Sequence, residues 1–311
     1  MKVYDCFMFN DELDLLQLRL NFLYDAVDYF VIVESRQTLS GQPKPLYFFE
    51  NKHLFSSFSN KIIYVEAPSN KLPVWKYEYF QRNCIKLGLK NCQDYDLIHI
   101  SDVDEIIDIK SLVPLLGSVP QPVLVKVTMF YYWFNLKTND EWYYNLIGRW
   151  KDLKHQDIGE RFVSYPLLFK KWKASKTCMG WHFSYLFGKD VKRYQNKIKS
   201  FSHQEYNKSY YLDEKRILKC VKLGVDLFER SFMSFTYSKK EITPILPYIK
   251  KLKLEKYLFE PSSKVYLQPS NITFLLRKIY VKKVIYFSLY PVRNLKKALK
   301  GLYKNLFKLK A

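Results

Sequence analysis

The chain of 311 residues is poor in cysteine and glycine, and each shortage excludes a class of protein. Its five cysteines are odd in number, lie far apart and form no Cys-x-x-Cys pair, which excludes a disulfide framework and a cysteine-based zinc site. Reduced thiols in a cytosolic compartment are therefore expected. The nine glycines form neither a GxGxxG nor a GxxxxGK pattern, which argues against dinucleotide-dependent redox chemistry and P-loop hydrolysis.

Long hydrophobic runs are also lacking. The longest uncharged apolar-rich run near the C-terminus, residues 284–292, is far shorter than the roughly 20 residues that a membrane-spanning helix needs. The N-terminal apolar stretch is interrupted by Asp5 and is followed by no small-residue cleavage site, so it does not have the pattern of a secretory signal. We therefore expect neither a transmembrane segment nor a signal peptide.

Acidic residues are absent after Glu260, although the whole chain carries 30 of them. The last 51 residues contain only basic charges, at positions 264, 277, 278, 282, 283, 293, 296, 297, 300, 304, 308 and 310. Leu295, Leu299, Leu302 and Leu306 recur there at helical spacing, which predicts a basic amphipathic helix suited to an anionic membrane surface. A solvated helix packed on the parent domain is the alternative. Nucleic acid is disfavoured as a partner because no binding-module signature is present.

The composition and the order of apolar segments indicate an α/β protein. Hydrophobic residues make up 48% of the chain, enough for one large domain or for one domain with an appendage. Strands are predicted at residues 2–9, 29–35, 61–67, 96–101 and 123–134, with helices after the first strand and over residues 76–88. A β-α-β order with fully apolar strands predicts a mostly parallel central sheet flanked by helices. Beyond residue 134 the pattern weakens into aromatic and lysine-rich loops.

Four acidic residues follow the apolar run that ends at Ser101, within the segment "LIHISDVDEIID". In open α/β sheets, ligands lie outside the carboxyl ends of the strands, so Glu34 and the cluster around Asp102 are expected at the same edge. Two carboxylates at i and i+2, here Asp102 and Asp104, are hard oxygen ligands for Mg²⁺ or Mn²⁺. Such an ion bridges a diphosphate and stabilises charge on a departing nucleoside diphosphate. A solvated loop with two aspartates is the alternative.

Six segments in order strengthen this hypothesis: "YDCFMFNDELDLLQLRL", "VIVESRQTLSGQPKPLYF", "WKYEYFQRNCIKLGL", "ISDVDEI", "GWHFSY" and "KIKSFSHQEYN". Together, over about residues 3 to 207, they resemble glycosyltransferase family 17. The resemblance implies a GT-A type nucleotide-diphospho-sugar transferase fold, a metal-dependent UDP-sugar donor and an inverting transfer, with GlcNAc as the sugar. We assign residues 1–230 to this catalytic domain and residues 231–311 to a helical, basic, membrane-associating region. We expect the chain to differ from the animal members in having no N-terminal membrane anchor and in carrying this tail.

The resemblance also implies roles for single residues. Asp102 and Asp104 match the metal motif, Asp104 is also assigned to catalysis, and Glu105 is expected to cap or buttress the loop. Glu34 matches the "VES" position and is predicted to accept hydrogen bonds from the uridine ring or ribose, with a helix cap or loop anchor as its alternative role. His203 is chosen ahead of His182 as a third metal ligand.

Two further residues are predicted to contact the donor. Arg82 is predicted to bind the donor diphosphate, with a surface salt bridge to Glu78 as its alternative, and Gln81 and Asn83 are expected to support the same edge. Trp181 is predicted to stack on a sugar face, with a place in the hydrophobic core as its alternative.

The catalytic base and the reaction class leave alternatives open. An inverting transfer needs a base that deprotonates the acceptor hydroxyl, and Glu205 is preferred to Asp157 and Glu160 because it lies in a matching segment. The leading hypothesis is a cytoplasmic, peripherally membrane-associated transferase that builds a cell-surface glycan such as lipopolysaccharide. The alternatives are a metal-dependent phosphoesterase or nucleotidyltransferase, and a non-catalytic protein that binds membranes or polyanions.

Overall fold

The alternation of strands and helices in the first hundred residues produces a parallel half-sheet. A computed structural model describes residues 1–116, 122–159, 172–230, 233 and 235–260. The parallel strands lie in the order β3-β2-β1-β4 and comprise β1 (Val3–Met8), β2 (Tyr29–Ser35), β3 (Ile62–Ala67) and β4 (Leu97–Asp102). Each predicted strand of this half is confirmed to within one residue.

The second half of the sheet is mixed. Beyond β4 the strand order continues β7-β6-β9-β5, while β8 pairs with β6 and β10 with β7. These strands are β5 (Glu105–Ile107), β6 (Val123–Tyr131), β7 (Leu136–Arg149), β8 (Lys173–Ala174), β9 (Gly180–Ser184) and β10 (Phe235–Tyr237). Antiparallel pairing joins β4 to β7, β7 to β6, and β9 to β5. The α/β class is confirmed, whereas the predicted parallel character holds mainly for the first half.

Helices flank this sheet. They are α1 (Leu13–Leu23), α2 (Tyr47–Glu50), α3 (Val74–Asn83), α4 (Ile85–Gly88), α5 (Ile109–Leu116), α6 (Trp150–Leu153), α7 (Val191–Ser200), α8 (Ser209–Leu212), α9 (Glu214–Leu223) and α10 (Leu246–Lys251), with 3-10 turns at Lys52–Phe58, Gln204–Tyr206 and Glu255–Tyr257. The helix predicted over residues 76–88 is two helices, α3 and α4. Helix α7 begins after Asp190, whose side chain accepts a hydrogen bond from the Arg193 N–H, as an N-cap residue does.

Both faces of the parallel strands are buried. Alternate residues of β1 and β2 face opposite sides, so that Phe7 and Ile32 belong to one apolar cluster and Cys6 and Val31 to another. A third cluster, rich in aromatic rings, lies against β6 and β9 and includes Tyr131 and Tyr185. Burial on both faces is what a continuous apolar strand requires.

The residues up to Glu260 form one compact unit. Strand β10 pairs with β7, and α10 contacts α1, so the chain beyond residue 230 returns to the sheet. The basic amphipathic helix predicted near the C-terminus lies outside the described residues. Because the tail is not among the described residues, the predicted membrane contact stays a prediction. The predicted domain boundary at residue 230 also stays a prediction.

Candidate active site

A cavity of about 410 Å³ opens at the carboxyl ends of β1 and β4, where a ligand site is expected in a sheet of this kind. Its lining includes residues from most parts of the unit: Phe9, Asn10, Glu12, Gln37, Lys44, Trp75, Glu78, Gln81, Asp102, Asp104, Met129, Tyr131, Trp142, His182, Ser184, Tyr185, Lys197, His203, Tyr206, Phe228 and Arg230. Both aspartates of the predicted metal motif face this cavity, together with both predicted histidines.

Hydrogen bonds from Arg19 of α1 fix the loop that carries the two aspartates. This buried guanidinium donates to the backbone carbonyls of Asp102 at 2.8 Å and Glu105 at 2.6 Å, and to the Ser101 hydroxyl at 2.6 Å. Its other edge binds both carboxylate oxygens of Asp5, at 2.6 and 2.7 Å. A planar guanidinium bound on both edges has little freedom, so the loop is held in one conformation.

Asp102 is held by contacts at its backbone and its side chain. The Glu105 carboxylate accepts the Asp102 N–H at 3.0 Å and the Trp142 indole N–H at 2.6 Å, which confirms the predicted buttress. Arg82 donates to Asp102 Oδ1 at 2.7 Å and to Glu78 Oε1 at 3.1 Å. Arg82 is fully buried, so its pair with Glu78 is not a surface salt bridge.

Asp104 lies at the centre of a buried charge cluster. Its Oδ2 is 3.7 Å from His182 Nε2 and 3.6 Å from Lys197 Nζ, and Lys197 also binds Glu12 at 2.9 Å. Strands β5 and β9 place the histidine, because Glu105 pairs with His182 across them and the Asp104 carbonyl accepts the Phe183 N–H at 2.8 Å. Gly180 permits this approach, since a Cβ there would lie 2.3 Å from the Ile106 carbonyl oxygen.

The electrostatics keep this cluster charged. Burial raises the pKa of Asp104, but Lys197 and His182 outweigh that effect and hold it below its usual value. Burial lowers the pKa of His182, and the carboxylates of Asp104, Glu105 and Asp102 together raise it above its usual value. The pKa of Lys197 is raised because Glu12 and Asp104 outweigh its burial. A carboxylate, an ammonium and a readily protonated imidazole therefore face the same cavity.

The side chains at this end of the cavity include the types of ligand that a divalent cation takes. Carboxylate oxygens and an imidazole nitrogen are ligands for Mn²⁺, and within the described part of the chain the buried His182 Nδ1 has no hydrogen-bond partner. In the same ranges no three His, Cys, Asp or Glu side chains are arranged to hold a metal ion. The structure pairs Asp104 with His182 and does not assemble the predicted set of Asp102, Asp104 and His203.

His203 and Glu205 form a separate pair at the rim. His203 Nδ1 lies 2.7 Å from Glu205 Oε1, and both side chains are about half exposed, at 50% and 55%. The ring of His203 meets the Trp75 ring edge-on, with centroids 4.8 Å apart. His203 is part of the cavity lining, whereas Glu205 is not and contacts the site only by its bond to His203. The pKa of Glu205 is lowered because the bond to His203 outweighs its partial burial.

Like Arg82, two further residues predicted to contact the donor do not line the cavity. Glu34 is buried, and its carboxylate accepts the N–H groups of Phe48 at 3.0 Å and Phe49 at 3.3 Å at the start of α2, which is the helix-cap alternative. Trp181 is buried in the core, and its indole donates to the Glu241 carbonyl at 2.7 Å. It therefore occupies the core position that was its alternative.

Of the remaining predicted residues, some line the cavity and others do not. Gln81 lines the cavity, while Asn83 binds the Tyr79 carbonyl and Asp157 Oδ1 at 3.2 and 2.8 Å. Asp157, one candidate base, thus anchors a loop and does not line the cavity. Glu160, the other, lies outside the described residues.

The sequence reasoning missed Arg19, Asp5, Lys197 and Glu12. The first two carried a signal, because each is a charged residue in an otherwise apolar element: Asp5 in a buried strand, and Arg19 in the leucine-rich helix α1. Lys197 lies in the segment "KIKSFSHQEYN" but is one lysine among several in a basic helix. The pattern alone did not distinguish it.

Comparison with known proteins decides the family. The sequence model of glycosyltransferase family 17 matches residues 1–273. The chain belongs to glycosyltransferase family 17. The predicted family is thereby confirmed, and with it the prediction that the chain is related to sugar-transferring enzymes.

Curated relatives are matched over a shorter range. The β-1,4-mannosyl-glycoprotein 4-β-N-acetylglucosaminyltransferase of Homo sapiens is 34% identical over 107 residues, which cover 31% of this chain and 20% of that protein. The Rattus norvegicus and Mus musculus proteins of the same name are 32% and 31% identical over 115 residues, 34% of this chain and 21% of theirs. The matched part of the chain spans about a fifth of the length of these relatives.

Among solved structures, a crystal structure of Francisella tularensis 2-C-methyl-D-erythritol 4-phosphate cytidylyltransferase is 12% identical, covers 49% of this chain and 74% of that chain, and has a TM-score of 0.28. A likeness at this level carries no argument about fold or function. In the ranges that the structure describes, no helix combines the length and the apolar character needed to span a membrane.

Proposed function

We propose that this family 17 protein has a GT-A type fold and transfers GlcNAc, with inversion, from UDP-GlcNAc to a hydroxyl of a glycan acceptor. The observation that carries the proposal is the joint position of Asp102, Asp104 and His182 in one cavity at the carboxyl edge of the parallel strands. The family, and the N-acetylglucosaminyltransferases among its relatives, support the sugar and the reaction.

We propose that Asp102 and Asp104 contribute carboxylate ligands to a divalent cation, with His182 in place of His203 beside Asp104. The described side chains do not form a complete ligand set by themselves, so the donor diphosphate would complete the coordination. When bound, such an ion supplies a Lewis acid that stabilises negative charge on the departing UDP. The protein must also bind and orient the donor. Lys197, 3.6 Å from Asp104, is placed to offset the charge of the donor diphosphate, and Arg82 orients Asp102 rather than reaching into the cavity.

The pair of His203 and Glu205 is proposed to receive the proton of the acceptor hydroxyl. His203 faces the cavity, and the Glu205 carboxylate at 2.7 Å from Nδ1 fixes the ring. A carboxylate on one ring nitrogen leaves the other free to accept a proton. This assigns the predicted residue Glu205 an orienting role, with His203 as the group that meets the acceptor.

Cell-surface glycan synthesis at the inner face of the membrane is part of the same proposal. It is supported by the run of basic residues after Glu260, because anionic lipid attracts such segments.

The experiment incubates purified protein with UDP-GlcNAc and Mn²⁺, with and without a β-mannoside acceptor, and measures UDP and the glycosylated product. We expect acceptor-dependent release of UDP that EDTA abolishes, and a β-linked product by NMR. Release of UMP and sugar phosphate would instead indicate a phosphoesterase. A melting-temperature response to GDP or CMP but not to UDP would reassign the nucleotide.

A further inference from the structure

We propose that the end of the cavity formed by β6, β9 and residues 228–230 binds a pyranose ring, and that the Tyr185 hydroxyl hydrogen-bonds one of its polar groups. The inference rests on the proposed function, because the ring belongs either to the donor sugar or to the acceptor. Both sources offer the same chemistry, a sugar ring with hydroxyl edges and apolar C–H faces.

The first observation is an unpaired hydroxyl. Tyr185 lines the cavity and is only 5% exposed, and within the described part of the chain its buried hydroxyl has no hydrogen-bond partner. Buried polar side-chain atoms are nearly always paired, so an exception calls for an explanation. Because Tyr185 belongs to the wall of a cavity, a polar ligand that shifts its side chain slightly can pair this hydroxyl.

The second observation is the set of groups around Tyr185. Its ring stacks on that of Tyr131, with centroids 5.3 Å apart, and Arg230 donates to the Tyr131 hydroxyl at 3.1 Å. Asp226 fixes Arg230 by two hydrogen bonds of 2.9 Å. The polar groups on this wall are therefore held in place before any ligand arrives, which lowers the cost of binding.

The apolar part of the same lining suits a sugar. Phe228 and Trp142 border the cavity beside Ser184 and His182. Small-molecule sites combine aromatic and apolar walls with a few fixed polar groups. A pyranose presents both kinds of surface, whereas a purely apolar ligand would leave the Tyr185 hydroxyl unpaired.

The third observation is local backbone strain. Tyr185 has φ 52° and Tyr132 has φ 65°, so the chain enters the left-handed region directly after both β9 and β6. The Tyr132 N–H nevertheless bonds to the Ser184 carbonyl at 3.1 Å, which keeps the two turns together. Non-glycine residues in this region are strained, and such strain clusters at ligand sites.

Two neighbouring tyrosines of the same aromatic cluster have hydroxyls that are hydrogen-bonded within the protein. The Tyr194 hydroxyl donates to the Gly188 carbonyl at 2.9 Å, and the Tyr132 hydroxyl donates to the Val225 carbonyl at 2.9 Å. Neither residue is part of the cavity lining. Tyr194→Phe is therefore a matched control, since it removes the same atom from the same aromatic cluster without changing the cavity wall.

The experiment compares Tyr185→Phe and Tyr194→Phe in the full chain. Without ligand, Tyr185→Phe should melt at or above the wild-type temperature because it deletes an unpaired hydroxyl, and Tyr194→Phe should melt lower because it breaks a hydrogen bond. A lower melting temperature for Tyr185→Phe would overturn the inference, since the hydroxyl would then have a partner inside the protein.

Calorimetry with Mn²⁺ then measures the affinity for UDP and UDP-GlcNAc. If the donor sugar occupies the subsite, Tyr185→Phe should weaken UDP-GlcNAc about tenfold and leave UDP unchanged. If the acceptor occupies it, both nucleotides should bind normally and the acceptor KM should rise about tenfold. No change in either quantity overturns the inference alone, whereas a wild-type protein that does not bind UDP overturns the proposed function as well.

Discussion

Replacing Arg19 by methionine tests the support beneath the Asp102–Glu105 loop. The side chain is fully buried, binds both oxygens of Asp5, and donates to the backbone carbonyls of Asp102 and Glu105. Removing one partner of a buried ion pair leaves an uncompensated charge and costs about 3 to 5 kcal/mol. We expect Arg19→Met to lower the free energy of unfolding by this amount, measured by urea denaturation at pH 7.

The double variant separates charge from packing. Asp5→Asn with Arg19→Met removes both charges, so its loss should be at least about 2 kcal/mol smaller than the sum of the two single losses. Arg36→Met is the control, because its ion pair with Glu66 is exposed, at 62% and 42% of the two side chains, and should change stability by less than about 1 kcal/mol. Additive losses, or a loss below about 1 kcal/mol for Arg19→Met, would refute the reasoning.

The same pair predicts a pH dependence. Burial raises the pKa of Asp5, but Arg19 and His99 outweigh it and lower that pKa from 3.8 to about 2. A depressed carboxyl pKa gives stability that is present above the unfolded value and is lost as the pH falls through the folded value. On the order of 2 kcal/mol should therefore be lost between about pH 4 and pH 2. Asp5→Asn should lack this component, and an unchanged acid transition in that variant would contradict the assignment.

Three further predictions concern the cavity and the tail. Asp104→Asn should keep the fold but lower the rate of transfer on the order of a thousandfold, and near-normal turnover would remove Asp104 from the site. Lys197→Met should weaken UDP binding about tenfold or more in calorimetry, while exposed Lys192→Met on the same helix should not. Deleting residues 274–311 should abolish the preference for anionic over neutral liposomes and keep transfer to a soluble acceptor. Equal binding of the intact chain to both lipids would exclude an electrostatic anchor.

The parallel half of the fold could be predicted because its strands are buried on both faces. Such strands read as continuous apolar runs, as in Tyr29–Ser35, and their ends are marked by polar residues. Strand β7 could not be predicted in the same way, because its first half, with Asn139 and Asp140, lies in a partly exposed antiparallel region where polar residues are tolerated. Register between distant segments, such as Glu105 opposite His182, is a tertiary property that local pattern does not encode.

The candidate site was predictable where the motif itself carries the chemistry. Asp102 and Asp104 were predicted to face one ligand site, and both line the cavity. The preference for His203 over His182 rested on no geometric information, and the structure pairs Asp104 with His182. The role of Glu34 could not be predicted, because a carboxylate at a strand end can accept hydrogen bonds from a helix N-terminus as well as from a ligand. Here it accepts the Phe48 N–H.

The three-residue strand β5 joins two parts of the chain that are distant in sequence. Asp104 precedes this strand and His182 lies on β9, and the ladder between them includes the bond from the Phe183 N–H to the Asp104 carbonyl. The distance between the two backbone positions is therefore set by strand pairing and not by a loop. The Phe183 N–H takes part in this ladder through its backbone alone, so the exchange rate of its amide hydrogen with solvent, compared between wild type and side-chain variants without ligand, measures how often the pairing opens.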